Sequence, residues 1–314
     1  MRNIAFLAGS LIVLVVGALL PHAVSNAYVF YAGFVALQYV VISTGWNILG
    51  GYAGYVNFGG GAFVGLGMYA AVFLFKAIGA PLAVQMLGAA IAGGVLGLGM
   101  GYLTLRIQGV FFSIATLALT IVLNTVIVNW SYVGGARGVT VLAPQPTLFP
   151  SIVSYVFFAM LVLAVVSVAI ARWIEKSWIG RGLAALRADE QAAECSGTPT
   201  LRLKLFAATI SGALIASAGA PYPYYASYVE PASAFGLAIA LNALAMPLIG
   251  GTRSWIGPLI GALLLSSLEQ AATVTIPTEV NLLIVGLVLI GFVVAAPDGL
   301  LGLFERKPAK VRAP

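Results

Sequence analysis

Charged residues are scarce in this chain, and their scarcity excludes most classes of soluble protein. Only 8% of the 314 residues are Asp, Glu, Lys or Arg, whereas 61% are hydrophobic, and the mean hydropathy is +1.05. Soluble domains carry roughly 25% charged residues, which they need to cover a surface that faces water. The composition therefore excludes a soluble enzyme, a nucleic-acid-binding protein and a disordered chain.

Residues that build disulfides and metal sites are almost missing as well. The chain has one cysteine, Cys195, and one histidine, His22. A single cysteine excludes an internal disulfide framework, and the lack of a Cys/His cluster argues against a zinc site. A Walker A loop requires glycine directly before lysine, and no lysine here follows a glycine. We therefore expect this chain to bind no metal and no cofactor.

What the sequence has instead is a series of long apolar runs bounded by glycine or proline. A membrane-spanning helix needs about 20 mostly apolar residues. The runs predict an all-α integral membrane protein of about ten transmembrane helices, in which residues 1–314 form a single domain. The ten predicted spans are 4–20, 28–49, 58–76, 82–104, 109–130, 151–171, 205–221, 234–250, 257–276 and 280–297.

The basic residues are unevenly distributed between these spans. If Arg2 lies in the cytoplasm, thirteen of the fifteen lysines and arginines fall in cytoplasmic segments, and only Lys76 and Arg137 lie outside. Cytoplasmic loops of membrane proteins are enriched in Lys and Arg in this way. The asymmetry predicts ten spans with both termini cytoplasmic, including the tail 298–314.

The first span has a second interpretation. Arg2 and the apolar run after it also resemble a cleaved secretory signal peptide. We favour a retained helix, because a run of about 17 residues is longer than a usual signal core. The other spans keep their orientation in both interpretations.

Glycine is abundant, with 37 residues, and several glycines recur four positions apart within a predicted span. Gly93, Gly97 and Gly101 form one such series, and the pairs at 61/65 and 257/261 form two others. Small residues at this spacing let helices approach closely in a membrane. The triplet at 97, 99 and 101 does not fit the dinucleotide-binding fingerprint, so we interpret these glycines as packing positions.

Polar side chains inside the spans are few, and they are candidates for a translocation pathway. Glu269 lies deep in the ninth predicted span, where burying an acidic side chain in the membrane costs free energy, so Glu269 is a candidate functional residue. The alternative, which stays open, is a neutral or paired carboxyl group that packs at a helix interface. Asn57, Asn124 and Asn242 are further candidates. Ion-coupled transporters usually need several ionisable groups within the membrane. Because the predicted spans contain so few, we expect a partner protein to supply the energy for transport.

The longest polar segment, 172–204, lies between the sixth and seventh predicted spans. We predict one short helix in it that ends near Gly197, since glycine is a typical C-terminal stop signal. Such a helix would place Arg187, Glu190 and Glu194 on one face. Its alanine-rich core and its position favour a docking helix over a merely solvated one.

This segment resembles the cytoplasmic loop of permease subunits of Liv-type ABC importers, most of all the LivM type. The family pattern is G-R-x-L-x-A-I-R-D-N-E-x-A-A-E-x-x-G, from which Ala188 and Asp189 depart. The matching residues are Gly180, Arg181, Leu183, Ala185, Arg187, Glu190, Ala192, Ala193, Glu194 and Gly197. Segments 51–69, 109–118, 134–138, 250–258 and 296–302 also resemble family motifs, in the same order along the chain.

The resemblance implies a multi-pass transport subunit of the bacterial inner membrane and not an enzyme. Similar importers combine two permease subunits with two ABC ATPase subunits, which use ATP and Mg, and with a periplasmic binding protein. The second permease would be a different, LivH-type chain. The residues that the resemblance assigns to coupling with the ATPases are Gly180, Arg181, Leu183, Leu186, Arg187, Asp189, Glu190, Ala193, Glu194 and Gly197.

Some residues depart from the family pattern in segments that would line the pathway, and they therefore bear on which solute is transported. Tyr55, Asn57 and Gly60 stand where the family has Gln, Ser and His, and with Phe58 they complete the pathway or gate candidates. Asn242 also departs from a usually apolar position. The expected solute is a branched-chain amino acid, but urea, short amides and aromatic acids stay open. The alternative to an importer subunit is a passive facilitator, which would transport solute without an ATPase.

The charge asymmetry generates a topology prediction. A cysteine introduced for Lys310, in a chain whose own Cys195 is replaced by serine, should react only with reagents that enter the cytoplasm. A cysteine introduced for Arg137 should react from outside the cell and serves as the control. Labelling of position 310 from the periplasm would contradict ten spans with both termini inside.

Overall fold

The computed structural model describes residues 2–24, 26–104, 109–141, 149–275, 286–287, 291 and 299–304. These residues are mostly helical. The helices are α1 (Arg2–Ala23), α2 (Ala27–Asn47), α3 (Gly60–Ile78), α4 (Leu82–Thr104), α5 (Val110–Val128), α6 (Ile152–Lys176), α7 (Trp178–Ala188), α8 (Glu190–Cys195), α9 (Thr200–Gly219), α10 (Tyr222–Ala226), α11 (Pro231–Ala234), α12 (Leu237–Gly250), α13 (Ile256–Thr275) and α14 (Gly299–Phe304). A π-helical turn, Ile48–Tyr52, extends α2, and strands β1 (Val139–Thr140) and β2 (Tyr228–Val229) pair antiparallel.

Eight helical stretches of the described residues are long and apolar enough to cross a membrane, and they match the first eight predicted spans in order. The ninth predicted span is helical as α13, of which Ile256–Ala271 is apolar but shorter than the others. The tenth, 280–297, lies outside the described residues except for 286–287 and 291. The chain is a multi-pass α-helical membrane protein, as its composition predicts.

Helix α9 occupies the centre of the bundle and packs most extensively against α4. Helix α2 runs beside α6, α9 and α13, and large side chains such as Trp46, Phe34 and Phe63 are fully buried there. Apolar side chains face lipid as readily as protein in such a chain, so hydrophobicity alone does not select the packed faces. Close fit between helix backbones selects them instead.

Glycines provide this close fit, which confirms the predicted packing role. A β-carbon on Gly97 of α4 would collide with the carbonyl oxygen of Ala208 on α9, and one on Gly93 would collide with that of Gly212. Gly261 of α13 lies in the same way against a carbonyl group of α12. Helices therefore touch backbone to backbone along α4–α9 and α12–α13.

The single helix predicted between positions 180 and 197 is wrong. The segment folds as two helices, α7 and α8, because Asp189 between them is extended, with φ −161° and ψ 115°. The Asp189 carboxylate accepts a hydrogen bond from the Ala192 backbone N–H at 3.0 Å, so it caps the start of α8. The predicted stop is confirmed, since α8 ends at Cys195 and Gly197 has φ +79°.

The boundaries of segment 172–204 also differ from the prediction. Helix α6 continues to Lys176, and α9 begins at Thr200, so both ends of the predicted loop are helical. Helix α7 starts after Ser177, whose hydroxyl caps it, and Gly180 lies inside this helix instead of at its start. A β-carbon on Gly180 would collide with the last carbonyl groups of α6, which explains why glycine fits there.

Helix α3 links the two ends of the bundle. It begins at Gly60 and ends near Lys76, whose ammonium group donates to the Tyr132 carbonyl oxygen at 3.1 Å. The β1–β2 pair lies at this second end, where the Tyr228 hydroxyl donates to the Arg137 carbonyl oxygen at 2.7 Å. Described parts of the predicted outside segments after the third, fifth and seventh spans thus meet at one end of the protein.

Close packing at Gly97 generates a stability prediction. Gly97→Ala should lower the thermal stability of the purified protein, since overpacking a tight contact costs about 1–3 kcal/mol. Gly99→Ala is the matched control, because a β-carbon there enters open space and alanine favours helix. Equal melting temperatures for the two variants in the same detergent would contradict the backbone contact between α4 and α9.

Candidate functional site

Three parts of the chain meet at the end of the bundle opposite to Lys76. They are the helix pair α7–α8, the turn between α12 and α13, and the nonhelical residues between the π-helical turn and α3, which we call segment 53–59. The first of these parts contains the predicted coupling residues, and the third contains three of the predicted pathway residues, Tyr55, Asn57 and Phe58. The structure therefore brings the coupling residues close to these three pathway candidates, and Gly60 follows directly as the first residue of α3.

Helix α7 has an apolar face that is buried against the chain itself. Leu183 is 0% and Leu186 4% exposed, whereas Arg181, Ala184 and Ala188 on the other side of the helix are exposed. In α8 the buried residue is Ala193. Of the predicted coupling residues, Leu183, Leu186 and Ala193 thus attach the helix pair to the bundle, whereas Arg181 lies on the exposed side of α7.

Arg187 points inward, to the start of segment 53–59. Its guanidinium group donates a hydrogen bond of 2.6 Å to the carbonyl oxygen of Gly51. Gly54, with φ +82°, lies against the Arg187 side chain, and a β-carbon there would be 3.1 Å from it. Burial, followed by the nearby charge of Arg253, lowers the pKa of Arg187 from its ordinary value.

Glu190 forms the second attachment to the same segment. Its carboxylate accepts a hydrogen bond of 2.5 Å from the Tyr55 hydroxyl and forms an ion pair with the Lys204 ammonium group. Lys204 is 4% exposed, and its ammonium nitrogen lies 5.0 Å from the centre of the Tyr55 ring. Burial, with a further effect of Glu190, raises the pKa of Tyr55, so the phenol keeps its proton as the donor.

The predicted single face of Arg187, Glu190 and Glu194 does not exist, because the chain turns at Asp189. Glu194 instead accepts a hydrogen bond of 2.5 Å from the Thr200 hydroxyl at the start of α9. All three side chains contact other parts of this chain. Their assignment to coupling with the ATPases stays a prediction.

Side chains of the neighbouring helices hold segment 53–59. The indole N–H of Trp46 donates to the Asn57 carbonyl oxygen at 2.7 Å, and the Phe58 backbone N–H donates to the Thr116 hydroxyl at 3.0 Å. The Asn57 side chain accepts from the Gly59 backbone N–H at 2.7 Å. The buried Asn57 side chain therefore stabilises the fold of segment 53–59, the segment to which it belongs.

Helix α3 begins directly after this segment, at Gly60. A β-carbon on Gly60 would be 3.2 Å from Ala243 of α12, so glycine permits close contact between the two helices. The Ser113 hydroxyl of α5 donates to the Val56 carbonyl oxygen at 2.8 Å. Segment 53–59 is therefore connected to α2, α5, α7 and α8, and it leads into α3.

Glu175 near the end of α6 is a structural residue that the sequence did not single out. Its carboxylate accepts hydrogen bonds from the Trp255 backbone N–H at 2.6 Å and from the Tyr52 hydroxyl at 3.4 Å. It thereby connects α6, the π-helical turn and the turn before α13. Its place in a polar segment gave no sign of this role, because both partners are distant in sequence.

Glu269 and Asn242 lie together, with Tyr39 as a third member that the sequence did not indicate. The Asn242 amide donates to the Glu269 carboxylate at 2.9 Å and to the Tyr39 hydroxyl at 3.1 Å. The three residues come from α13, α12 and α2, and all are half-buried. Asn124 lies on α5, and its side-chain oxygen is buried without a hydrogen-bond partner among the described residues.

Two grooves border the helix pair, and Arg187 lines both of them. The first, of about 500 Å³, is lined by Arg181, Arg187 and Arg253 but by a single acid, Glu175, so its charge is positive. The second, of about 650 Å³, runs between α8 and segment 53–59. Within the described ranges, no group of three or more His, Cys, Asp or Glu residues is placed to hold a metal ion.

Comparison with known proteins gives one family and several relatives. The family described as "Branched-chain amino acid transport system / permease component" matches residues 28–293. The permease proteins LivM of the high-affinity branched-chain amino acid transport systems of Salmonella typhimurium and Escherichia coli are each 26% identical, over 92% of this chain and 73% of theirs. The autoinducer 2 import system permease protein LsrC of Yersinia pestis is 30% identical over 68% of this chain and 61% of its own.

The Asn242–Glu269 contact generates a second stability prediction. Glu269→Gln keeps an acceptor for Asn242 and should leave the melting temperature of the purified protein unchanged or raised. Glu269→Leu removes that acceptor and should destabilise the protein by about 1 kcal/mol, the usual value of a hydrogen bond between membrane helices. A leucine variant as stable as the glutamine variant would show that this contact does not hold the three helices together.

Proposed function

The chain belongs to the family of permease components of branched-chain amino acid transport systems, and we propose that it is the permease subunit of an ATP-driven ABC importer. Its solutes are branched-chain amino acids or related small molecules. It forms the translocation pathway and hydrolyses no ATP itself. The similarity to LivM over 92% of the chain supports this assignment.

The proposed assembly contains two ABC ATPase subunits, a second permease of the LivH type and a periplasmic substrate-binding protein. ATP and Mg belong to the ATPase subunits. The chain crosses the inner membrane ten times, with both termini in the cytoplasm. Two observations support this orientation: the charge asymmetry of the sequence, and the meeting of α7, α8 and the α12–α13 turn at one end of the bundle.

The exposed side of α7 is the observation that best supports a role in coupling to the ATPases. Arg181, Ala184 and Ala188 follow one another at helical spacing, so they form one face, and small side chains at 184 and 188 let another surface approach closely. The buried leucines of the opposite face fix the helix to the bundle. A force applied to this exposed face therefore moves the helix pair as part of the permease.

The positive groove beside α7 defines the chemistry of the docking partner. Arg181, Arg187 and Arg253 line it, and their like charges favour an acidic side chain or a row of carbonyl groups from the ATPase. Closure of the ATPase subunits on ATP would then displace α7. The positive charge of the groove would make association of the subunits sensitive to salt.

The Tyr39–Asn242–Glu269 cluster is our proposed polar point of the translocation pathway. A carboxylate that faces hydrocarbon costs several kcal/mol, so a half-buried Glu269 is best placed toward an aqueous pathway or a second subunit. The family itself does not fix the solute, since the related LsrC belongs to an import system for autoinducer 2. Urea, amides and aromatic acids remain alternatives to amino acids.

A charge reversal on α7 tests the coupling function. Arg181→Glu should reduce co-purification with the ATPase subunits at least about tenfold, because truncating or reversing a desolvated charge contact costs about 2–5 kcal/mol. Arg137→Glu, at the other end of the bundle, is the control and should bind the ATPases normally. Uptake should fall in parallel with binding.

Two outcomes would contradict the proposal. If Arg181→Glu binds the ATPases and transports solute like the original chain, α7 is not the docking helix. If the purified chain alone conducts solute passively in proteoliposomes, and ATP has no effect when the ATPases are added, the chain is a facilitator and not an importer subunit.

A further inference from the structure

The cluster of Tyr55, Glu190 and Lys204 connects three parts of the chain that are far apart in sequence. Glu190 is the first residue of α8, Lys204 lies in the first turns of α9, and Tyr55 lies in segment 53–59. Each carboxylate oxygen of Glu190 makes one contact: Oε2 accepts a hydrogen bond from the Tyr55 hydroxyl at 2.5 Å, and Oε1 forms an ion pair with the Lys204 ammonium group. Neither helix α7 nor the membrane spans alone would create this arrangement.

We propose that the Tyr55–Glu190–Lys204 cluster is a permanent joint that carries the displacement of α8 to segment 53–59, which makes Tyr55 and Lys204 positioning residues for coupling. This inference rests on the proposed function, since it assumes that the ATPases move the helix pair. It adds the route by which that movement enters the membrane-spanning part. Neither Tyr55 nor Lys204 has to touch the solute or an ATPase in this role.

Burial keeps the joint closed. Lys204 is 4% exposed, and separating it from the Glu190 carboxylate would leave a buried ammonium group without that partner, which is strongly unfavourable. The Lys204 ammonium group also lies 5.0 Å from the centre of the Tyr55 ring, so the aromatic face adds a cation–π attraction. When α8 moves, Tyr55 is therefore expected to follow it.

Hydrogen bonds beyond Tyr55 pass the movement on. Segment 53–59 is held by Trp46 of α2 and by Thr116 of α5, and it continues without a break into α3. A displacement at Tyr55 thus reaches three membrane spans within five residues of the chain. The Arg187–Gly51 contact is a second, parallel connection, which enters through the π-helical turn instead.

The first experiment removes one hydroxyl group from the joint in the complete importer, reconstituted with its ATPases and binding protein. Tyr55→Phe keeps the ring and removes the hydrogen bond to a charged group, which should shift the coupled state by about tenfold. We expect normal assembly and normal ATP hydrolysis, with roughly ten times more ATP used per solute. Tyr132→Phe, at the other end of the bundle, is the matched control and should change nothing.

The second experiment distinguishes a permanent joint from a latch that opens. Val56 and Gln191 are both exposed and line the same groove beside the intact cluster. Cysteines at these positions, in a chain with Cys195→Ser, are bridged with a short bifunctional thiol reagent. A permanent joint predicts that the bridged importer still transports solute, whereas a latch would be blocked by the bridge.

The results separate this inference from the proposed function. Unchanged ATP use per solute in Tyr55→Phe, or loss of transport in the bridged importer, would overturn the joint while leaving an ATPase-coupled permease intact. Failure of the original chain to bind ATPases would instead overturn the proposed function. Increased ATP use in Tyr55→Phe, together with transport by the bridged importer, is the result that we expect.

Discussion

The interruption of the helical chain between Tyr52 and Gly60 is the constraint on which the rest of the structure depends. A continuous helix satisfies its own backbone groups, but a nonhelical stretch beside apolar spans must find partners elsewhere in the protein. Here the partners are Trp46, Thr116 and the side chain of Asn57. Satisfying the segment therefore fixes α2, α3 and α5 relative to one another.

The same constraint explains where the few charges of the chain are found. With so little charged surface, most polar side chains at this end of the bundle serve as internal connections. Arg187 binds the backbone just before the interruption, Glu190 binds Tyr55 within it, and Glu175 connects α6 with the turn before α13. A helix pair attached in this way transmits displacement, whereas a loosely tethered loop would absorb it.

The sequence predicts those features that depend on local pattern. Apolar runs locate eight of the spans, and the spacing of Gly93 and Gly97 identifies a face where two backbones meet. The break at Asp189 has a local signal, because aspartate is a preferred N-cap residue. Its carboxylate accepts a hydrogen bond from the backbone N–H of Ala192, three residues later. The prediction of one helix rests on Gly197 as its stop signal and takes no account of Asp189 as a cap.

Long-range connections could not be predicted from a single sequence. Glu190 meets Tyr55 from 135 positions away, and Tyr39 meets Asn242 across 203. Tyr39 has no local signal in the sequence, and Tyr55 stands out only as a departure from the family pattern, which does not indicate its partner Glu190. The burial of Lys204 and its pairing with Glu190 are likewise set by the tertiary fold.

The central claim is that α8 and segment 53–59 move as one body. Pulsed electron paramagnetic resonance tests it directly, with spin labels at positions 56 and 191 and, in a second sample, at positions 78 and 191 of the complete importer. The account predicts that ATP binding changes the distance between 78 and 191 and leaves the distance between 56 and 191 constant. A distance between 56 and 191 that changes as much as the other would contradict it.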